Sequence, residues 1–214
     1  MNYIVENNII YVSDNIGFLY AFDYKKNKII WAKNYKVPFR SNLKISDNKL
    51  MAVSQNNNLY FYDKETGDVL SSIPTEETIV QNKFINNLSL SNNNQILTFL
   101  NTYGSLYGIE NKSMRVKWVV NLNPSVDLNP SNLFNGNQTI VNNDIIIVSS
   151  DQSTYVLNIK NGSVIHKKNF AASIKPIINN KYFFALTNND LLIAMDLDNG
   201  NIIYSYDINQ KISE

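Results

Sequence analysis

The chain has 214 residues, 19 basic and 18 acidic side chains and no cysteine, and its formal net charge is +1. Because charges are balanced and no run of Lys or Arg forms a stripe, binding to nucleic-acid phosphates is disfavoured. The lack of cysteine excludes disulfides, thiolate metal sites and cysteine nucleophiles. The first eight residues lack the basic and long apolar segments of a signal peptide, and no apolar run is long enough to span a membrane.

A short motif recurs five times along the chain. Its first copy is Leu-Tyr-Ala-Phe-Asp at residues 19–23, and every copy ends in an acidic residue or an asparagine, here called the anchor. The anchors are Asp23, Asp63, Glu110, Asn158 and Asp196. They are 40, 47, 48 and 38 residues apart. A period of about 40–50 residues filled with short strands is typical of β-propellers.

Each repeat is predicted to form four antiparallel strands. An apolar second strand follows an Asn/Asp-rich turn, the motif is the third strand, and a fourth strand follows a second turn. Because asparagine tolerates positive φ, these turns suit tight hairpins. The predicted second strands are residues 9–13, 50–54, 96–100, 145–149 and 182–187. The less regular first strands are predicted at residues 3–6, 42–45, 87–90, 132–134 and 175–178.

The pattern predicts an all-β fold, a β-propeller of about five four-stranded antiparallel blades with no helix of useful length. One continuous array over residues 1–214 is expected. The blades are predicted at about residues 3–35, 39–74, 84–122, 131–170 and 174–208. Since unpaired edges and unpacked terminal faces invite association, we expect either a closed ring or an open array that forms a homodimer.

In each repeat, two positions ten residues apart compensate each other in side-chain volume, and we call them the volume-trading pairs. A small residue on the third strand accompanies a large ring on the fourth, and a larger residue accompanies a smaller one. Close-packed interiors penalise both cavities and overlap, so we predict that each pair fills one slot between adjacent sheets. The pairs are Ala21 with Trp31, Phe61 with Ser71, Gly108 with Trp118, Val156 with His166, and Ala194 with Tyr204.

Residues that could carry chemistry recur with the repeats and do not form one site. A catalytic carboxylate is expected once, whereas the anchor returns in every blade, so we expect it to accept backbone hydrogen bonds in the following turn. His166, the only histidine, holds a ring position and is predicted to pack. No Gly-x-Ser-x-Gly nucleophile or glycine-rich phosphate loop is present. The sequence predicts no catalytic, cofactor-binding or metal-binding residue.

A recognition surface is predicted at two loops. Arg40, one of two arginines, follows Phe39 just before a first strand, the strand that lines the central channel of propellers. An arginine beside an exposed aromatic is a typical partner anchor, and the alternative is a solvated loop charge. The proline-containing segment 123–131 is predicted to be an ordered surface loop. We predict partner contacts at Phe39, Arg40, Asp127 and Asn129.

The repeats resemble those of quinoprotein-type β-propellers with PQQ-like repeats. The clearest copies are residues 19–23 with Ile-Ile-Trp at 29–31, and residues 59–63 with Thr-Gly-Asp at 66–68. In that family the tryptophan docks between blades near the small residue, which by position implies this role for Trp31 and Trp118. Repeats two, four and five depart from the pattern, with Ser71, His166 and Tyr204.

Within these propellers the chain most resembles the β-propeller lipoproteins of the bacterial outer-membrane β-barrel assembly machinery. The resemblance implies a non-catalytic, periplasmic and outer-membrane-associated scaffold that binds the barrel-assembly subunit or unfolded outer-membrane proteins. Those lipoproteins begin with an export signal and a lipid-bearing cysteine and have more blades. We therefore expect a fragment with the later blades, an added Met1 and a missing N-terminal lipid anchor.

Two alternatives remain open at this stage. The first is a fragment of a quinone (PQQ)-dependent dehydrogenase, a family of longer chains that hold calcium or a similar ion beside the cofactor and commonly carry a vicinal cysteine pair. This chain is shorter and has no cysteine. The second is a eukaryotic trafficking or stress-sensing propeller.

Overall fold

The computed structural model describes residues 2–75, 89–123, 134, 136–150 and 152–211. Over these residues it contains twenty strands in five four-stranded sheets, each made of four consecutive antiparallel strands. The one helical segment is a 3-10 turn at Ile208–Lys211, and no helix in the described part has the length and apolar character to cross a membrane. The predicted all-β architecture of five four-stranded units is confirmed.

The strands follow the repeats in chain order. Sheet 1 contains β1 (Asn2–Glu6), β2 (Ile9–Ser13), β3 (Phe18–Asp23) and β4 (Lys28–Asn34). Sheet 2 contains β5 (Lys44–Ser46), β6 (Lys49–Val53), β7 (Leu59–Asp63) and β8 (Val69–Ile73). Sheet 3 contains β9 (Ser89–Asn92), β10 (Ile96–Leu100), β11 (Ser105–Glu110) and β12 (Arg115–Asn121).

The remaining eight strands form the last two sheets. Sheet 4 contains β13 (Ile140–Asn142), β14 (Ile145–Ser149), β15 (Thr154–Asn158) and β16 (Val164–Lys168). Sheet 5 contains β17 (Ile177–Asn179), β18 (Tyr182–Leu186), β19 (Leu191–Asp196) and β20 (Ile202–Asp207). The chain divides into two compact units, Met1–Leu133 with sheets 1 to 3 and Phe134–Glu214 with sheets 4 and 5. A single continuous array over the whole chain stays a prediction.

The second strands lie within one residue of their predicted positions, because alternating apolar runs bounded by turn residues are a strong local signal. The predicted position of one first strand is wrong. In sheet 4 it is Ile140–Asn142, not residues 132–134, and Phe134 is a buried residue outside any strand. Asn142 pairs with Ile145 across a tight turn, so the strand must end where that hairpin begins. The apolar Phe134 indicates burial but carries no pairing information.

Tight turns join the first and second strands. Four of them place one Asn or Asp at positive φ, with values between 50° and 55°. These residues are Asn7, Asp47, Asn143 and Asn180. Asn and Asp tolerate this backbone region because their side chains are short and polar, and the predicted tight hairpins with positive φ are confirmed at these four turns.

The turn between the third and fourth strands has a positive-φ residue at the same position in every sheet. Four residues after the anchor the chain adopts positive φ, at values from 50° to 76°. In sheets 2 to 5 the N–H of that residue donates to the anchor's carbonyl at 2.8 Å. The five positive-φ residues are Asn27, Gly67, Met114, Gly162 and Gly200.

Apolar side chains between neighbouring sheets form separate core clusters within each unit. In the first unit, Tyr11 and Trp31 of sheet 1 cluster with Leu50 and Tyr62 of sheet 2, and Phe61 of sheet 2 joins the cluster shared with sheet 3. In the second unit the cluster joins sheets 4 and 5, with members such as Val156 and Phe183. Full burial of a side chain of this size contributes about 1.5–3 kcal/mol. Packing between neighbouring sheets therefore contributes to the stability of each unit.

Candidate protein-binding surfaces

The five volume-trading pairs lie directly opposite each other on the third and fourth strands. Ala21 pairs with Trp31, Gly108 with Trp118 and Ala194 with Tyr204. Phe61 pairs with Ser71 and Val156 with His166 in the same way. In every sheet the register shifts by one residue next to this pair, so a β-bulge accompanies it.

In two junctions, one in each unit, the ring on the fourth strand lies over the turn of the next sheet. The Trp31 indole packs on Gly67, where an added β-carbon would lie 2.7 Å from Cε3, and Trp31 Nε1 donates to the Lys64 carbonyl at 3.0 Å. In the second unit His166 packs on Gly200 in the same way. His166 Nε2 lies 3.1 Å from the Leu197 carbonyl, which can only accept, so Nε2 carries the proton.

This contact adds a third member to the volume-trading pairs, which sequence reasoning missed. Gly67 and Gly200 lie four residues after their anchors, and the equivalent residue in sheet 3 is Met114. Met114 packs against the cluster that contains Phe61, in the junction where the fourth strand carries the small Ser71. The spacing Asp-x-x-x-Gly in repeats two and five is the sequence signal that could have predicted this contact.

The anchors form hydrogen bonds in their own turns. Asp63 Oδ1 accepts from the N–H groups of Glu65 and Thr66 at 2.8 and 3.1 Å. Asp23, Asn158 and Asp196 accept equivalent backbone bonds, which confirms the predicted turn role for four anchors. Glu110 differs, because its carboxylate accepts from side chains of Ser113 and Lys117.

Side-chain hydrogen bonds lower the pKa of two anchors. The hydrogen bond from Lys181 holds the pKa of Asp196 below its usual range, and turn N–H groups add to the effect. Hydrogen bonds from Ser113 and then Lys117 lower the pKa of Glu110. Both carboxylates are therefore charged at neutral pH and suit turn stabilisation better than proton transfer.

The residues predicted to contact a partner are only partly brought together. Phe39 is 3% exposed and packs edge-on against Tyr35 and Tyr62, which corrects the expectation of an exposed aromatic. It forms a β-bridge with Ser54, which positions its ring toward the core. Arg40 is half-buried, and its Nε has no hydrogen-bond partner among the described residues. Asp127 and Asn129 lie outside the described residues.

A calcium ion beside a bound quinone needs several oxygen ligands that converge on one point. No group of three or more His, Asp or Glu side chains in residues 2–75, 89–123, 134, 136–150 and 152–211 comes together to hold a cation. His166 and most anchors are already engaged by the turns described above. In the described part of the chain, the acidic side chains therefore do not come together as ligands for a calcium ion beside a quinone.

The fourth strand of each sheet is an outer edge that presents apolar side chains to solvent. Adjacent exposed aliphatic residues occur on β4, β8, β16 and β20. Lysine or arginine occupies β4, β12 and β16, and β20 ends in Asp207. Only β8, with the sequence Val-Leu-Ser-Ser-Ile, has no charged side chain, and Val69 and Leu70 are 47% and 46% exposed. Sequence reasoning did not single out this strand.

The five four-stranded antiparallel sheets and the ring-to-turn contacts define a β-propeller of the PQQ-like repeat class. The family model described as "Outer membrane protein assembly factor BamB" matches residues 3–206. The chain belongs to this family. The resemblance predicted from the repeats is therefore confirmed.

Solved structures share the fold at low sequence identity. BamB from Moraxella catarrhalis superposes with a TM-score of 0.76 at 10% identity, over 93% of this chain and 61% of that one. Quinohemoprotein alcohol dehydrogenases from Comamonas testosteroni and Pseudomonas putida HK5 give TM-scores of 0.71 and 0.73 at 12% and 11% identity. They cover 96% of this chain but 42% and 41% of their own. The chain thus spans less than two thirds of each structure, and sequence comparison with curated proteins gave no match.

Proposed function

We propose that the chain is a non-catalytic protein-binding scaffold that acts in the assembly of outer-membrane β-barrel proteins at the periplasmic side of the outer membrane. Its family, described as an outer membrane protein assembly factor, supports this role. The observation that carries the proposal is the uncharged, apolar outer edge β8. Its partners would be segments of unfolded outer-membrane proteins or a barrel-assembly subunit.

Strand β8 is suited to the addition of an extended peptide. Within the described residues it pairs only with β7, so backbone groups on its other side face away from the sheet. Lysines on edge strands oppose such addition, and β8 lacks them whereas β4, β12 and β16 carry them. Main-chain hydrogen bonds would supply affinity with little sequence specificity. That property suits a scaffold that receives many different barrel strands.

A second contact is proposed at the loop that precedes β5. Arg40 is half-buried and its Nε has no hydrogen-bond partner in the described part, so a partner's acceptor would satisfy this donor once the side chain turns outward. Phe39 would support the loop from the core beneath it. Asp127 and Asn129 remain predicted contacts.

The edge-strand proposal is tested with a fluorescent peptide that has the alternating apolar and polar sequence of a transmembrane barrel strand. Fluorescence anisotropy measures its binding to the wild-type chain and to the Leu70→Lys variant. We expect Leu70→Lys to weaken binding at least tenfold, about 1.4 kcal/mol, because it places a charge on the added edge. Ile165→Lys is the matched control, since Ile165 is 43% exposed on β16, which already has Lys167 and Lys168. Equal weakening by both variants, or no binding by the wild-type chain, contradicts the proposal.

The dehydrogenase alternative is supported by the likeness of fold to two quinohemoprotein alcohol dehydrogenases. It is tested by adding pyrroloquinoline quinone and calcium and measuring the unfolding temperature. A ligand at one hundred times its Kd stabilises a protein by about 2.7 kcal/mol, which is readily detected. We expect no shift, and a saturable rise would favour the dehydrogenase fragment over the scaffold.

A further inference from the structure

The junction between sheets 2 and 3 is filled by a side chain from the turn and not by a ring from the fourth strand. At the junctions described above, Trp31 or His166 lies on a glycine in the turn of the next sheet. Between sheets 2 and 3 the fourth strand carries the small Ser71, and the turn residue is Met114. The Met114 side chain packs against the apolar cluster that both sheets share. A thioether therefore supplies volume that a ring supplies elsewhere.

The cluster that Met114 contacts is closed to solvent and apolar. Met51 and Phe61 of sheet 2 and Leu97 and Phe99 of sheet 3 are fully buried in it. These side chains have no hydrogen-bond donor, so a polar atom placed among them would lose its bonds to water without replacement. Met114 is therefore stable against this cluster only while its sulfur remains a thioether.

Met114 also has an unfavourable backbone conformation. Its φ is 56°, in the left-handed region, and its N–H donates to the Glu110 carbonyl at 2.8 Å to close the turn. The equivalent turn residues of sheets 2, 4 and 5 are glycines, which adopt this region without strain. A bulky residue is strained there and needs compensation from its contacts. The packing of the Met114 side chain therefore offsets strain in its own turn.

Met114 is the one methionine in the described part of the chain that solvent reaches. It is partly exposed, whereas Met51 and Met195 are fully buried. The chain has four methionines and no cysteine, so methionine holds all of its sulfur. A small oxidant dissolved in water therefore has access to Met114 in the folded chain, while the two buried thioethers are protected until the chain opens.

We propose that Met114 is a modification site at which hydrogen peroxide or a related two-electron oxidant forms methionine sulfoxide. The sulfur gives an electron pair to one peroxide oxygen, and the O–O bond breaks. The proton on the transferred oxygen passes to the departing hydroxide, so the products are the sulfoxide and one water. A thiol-dependent methionine sulfoxide reductase returns the thioether.

Oxidation of Met114 should loosen the contact between sheets 2 and 3. The sulfoxide is polar and the cluster offers it no donor, so the side chain turns toward water. The packing that offsets the strained φ is then lost, and the turn after Glu110 opens more easily. Ile73 of β8 packs on the same cluster, so the effect extends to the outer edge of sheet 2. This modification does not depend on the proposed scaffold function.

Peroxide treatment of the folded chain tests the site. Peptide mass spectrometry follows the addition of one oxygen atom to Met114, Met51 and Met195 over time, in buffer and in concentrated urea. We expect Met114 to react about tenfold faster than the two buried methionines in buffer. In urea all three should react alike, because their exposure no longer differs. Equal rates for the three residues in buffer overturn the proposal.

The structural effect is measured on the chain oxidised at Met114. We expect the midpoint of urea unfolding to fall by about 0.5 M, because a polar group can no longer pack in the junction. Amide hydrogen exchange should become faster in sheets 2 and 3 and stay unchanged in sheets 4 and 5. Reductase treatment should restore both values. An unchanged midpoint, or a loss that the reductase does not reverse, overturns the proposal.

Met114→Leu is the matched control, since leucine keeps the apolar volume and the strained φ but has no sulfur to oxidise. The same peroxide dose should leave the unfolding midpoint of this variant unchanged. Met114→Gln introduces a polar side chain without any oxidant and should lower the midpoint as oxidation of the wild-type chain does. A Met114→Leu chain that loses as much stability in peroxide as the wild-type chain overturns the proposal.

Discussion

Trp31 and Gly67 are in direct contact across the junction between sheets 1 and 2. A β-carbon at Gly67 would lie 2.7 Å from the indole, and the backbone there has a φ of +76°. Two separate requirements, space beneath a ring and a left-handed turn, therefore fall on one residue. His166 and Gly200 repeat the contact in the second unit.

Replacement of Gly67 by alanine should destabilise the chain by about 1–3 kcal/mol, since it combines overpacking with a strained φ. Urea unfolding measures the change. In a Trp31→Ala background the overlap is gone, so Gly67→Ala should cost only the backbone strain. Equal costs in both backgrounds would show that the ring contact has no energetic role.

We expect that Gly108 can be replaced by a larger residue only if Trp118 is replaced by a smaller one at the same time. A β-carbon at Gly108 would lie 2.0 Å from the indole, although this glycine is not at positive φ. We expect Gly108→Val alone to lower the unfolding free energy by about 3 kcal/mol. Adding Trp118→His recreates the Val156–His166 pair and should recover part of the loss, as measured by thermal unfolding. The idea fails if the double variant is no more stable than Gly108→Val.

The Asp63 anchor should act through its acceptor oxygen and not through its charge. Asp63→Ala removes the acceptor for two turn N–H groups and should cost about 1 kcal/mol in urea unfolding. Asp63→Asn keeps an acceptor, as Asn158 does, and should cost much less. A similar loss for both variants would indicate that the negative charge matters.

Stability should fall as the pH rises from about 10 to 12. Burial, with Glu6 and Asp68 as the leading neighbouring charges, raises the pKa of Tyr11 and Tyr35 to about 12. Between pH 10 and 12 the unfolded chain has lost these protons while the folded chain keeps them, so unfolding releases protons and is favoured by alkali. Absorbance at 295 nm should show a late group of tyrosines that titrates with unfolding. In a Tyr11→Phe variant the loss of stability over this range should be smaller, and an unchanged slope contradicts the assignment.

Local signals predicted the strands and turns because they depend on near neighbours in the chain. The hairpin at Asn143 and the turn after Asp63 are specified by residues a few positions apart. The first strand of sheet 4 was misplaced because a buried Phe134 looks like a strand residue when pairing is not visible. Phe39 was expected at the surface for a similar reason, since its packing against Tyr62 is not a local property.

The sequence by itself determined the repeat, the four-strand unit and the opposed small and large residues, because hairpin geometry and alternation are encoded within each repeat. Only the tertiary structure decided what each ring packs against. Trp31 reaches a carbonyl 33 residues further along the chain, and no local pattern links the two positions. The exposure of Val69 and Leu70 on β8 was likewise decided by which strands lie beside them. Burial and contact depend on the neighbours that packing brings together, whereas strand and turn formation depend on the chain itself.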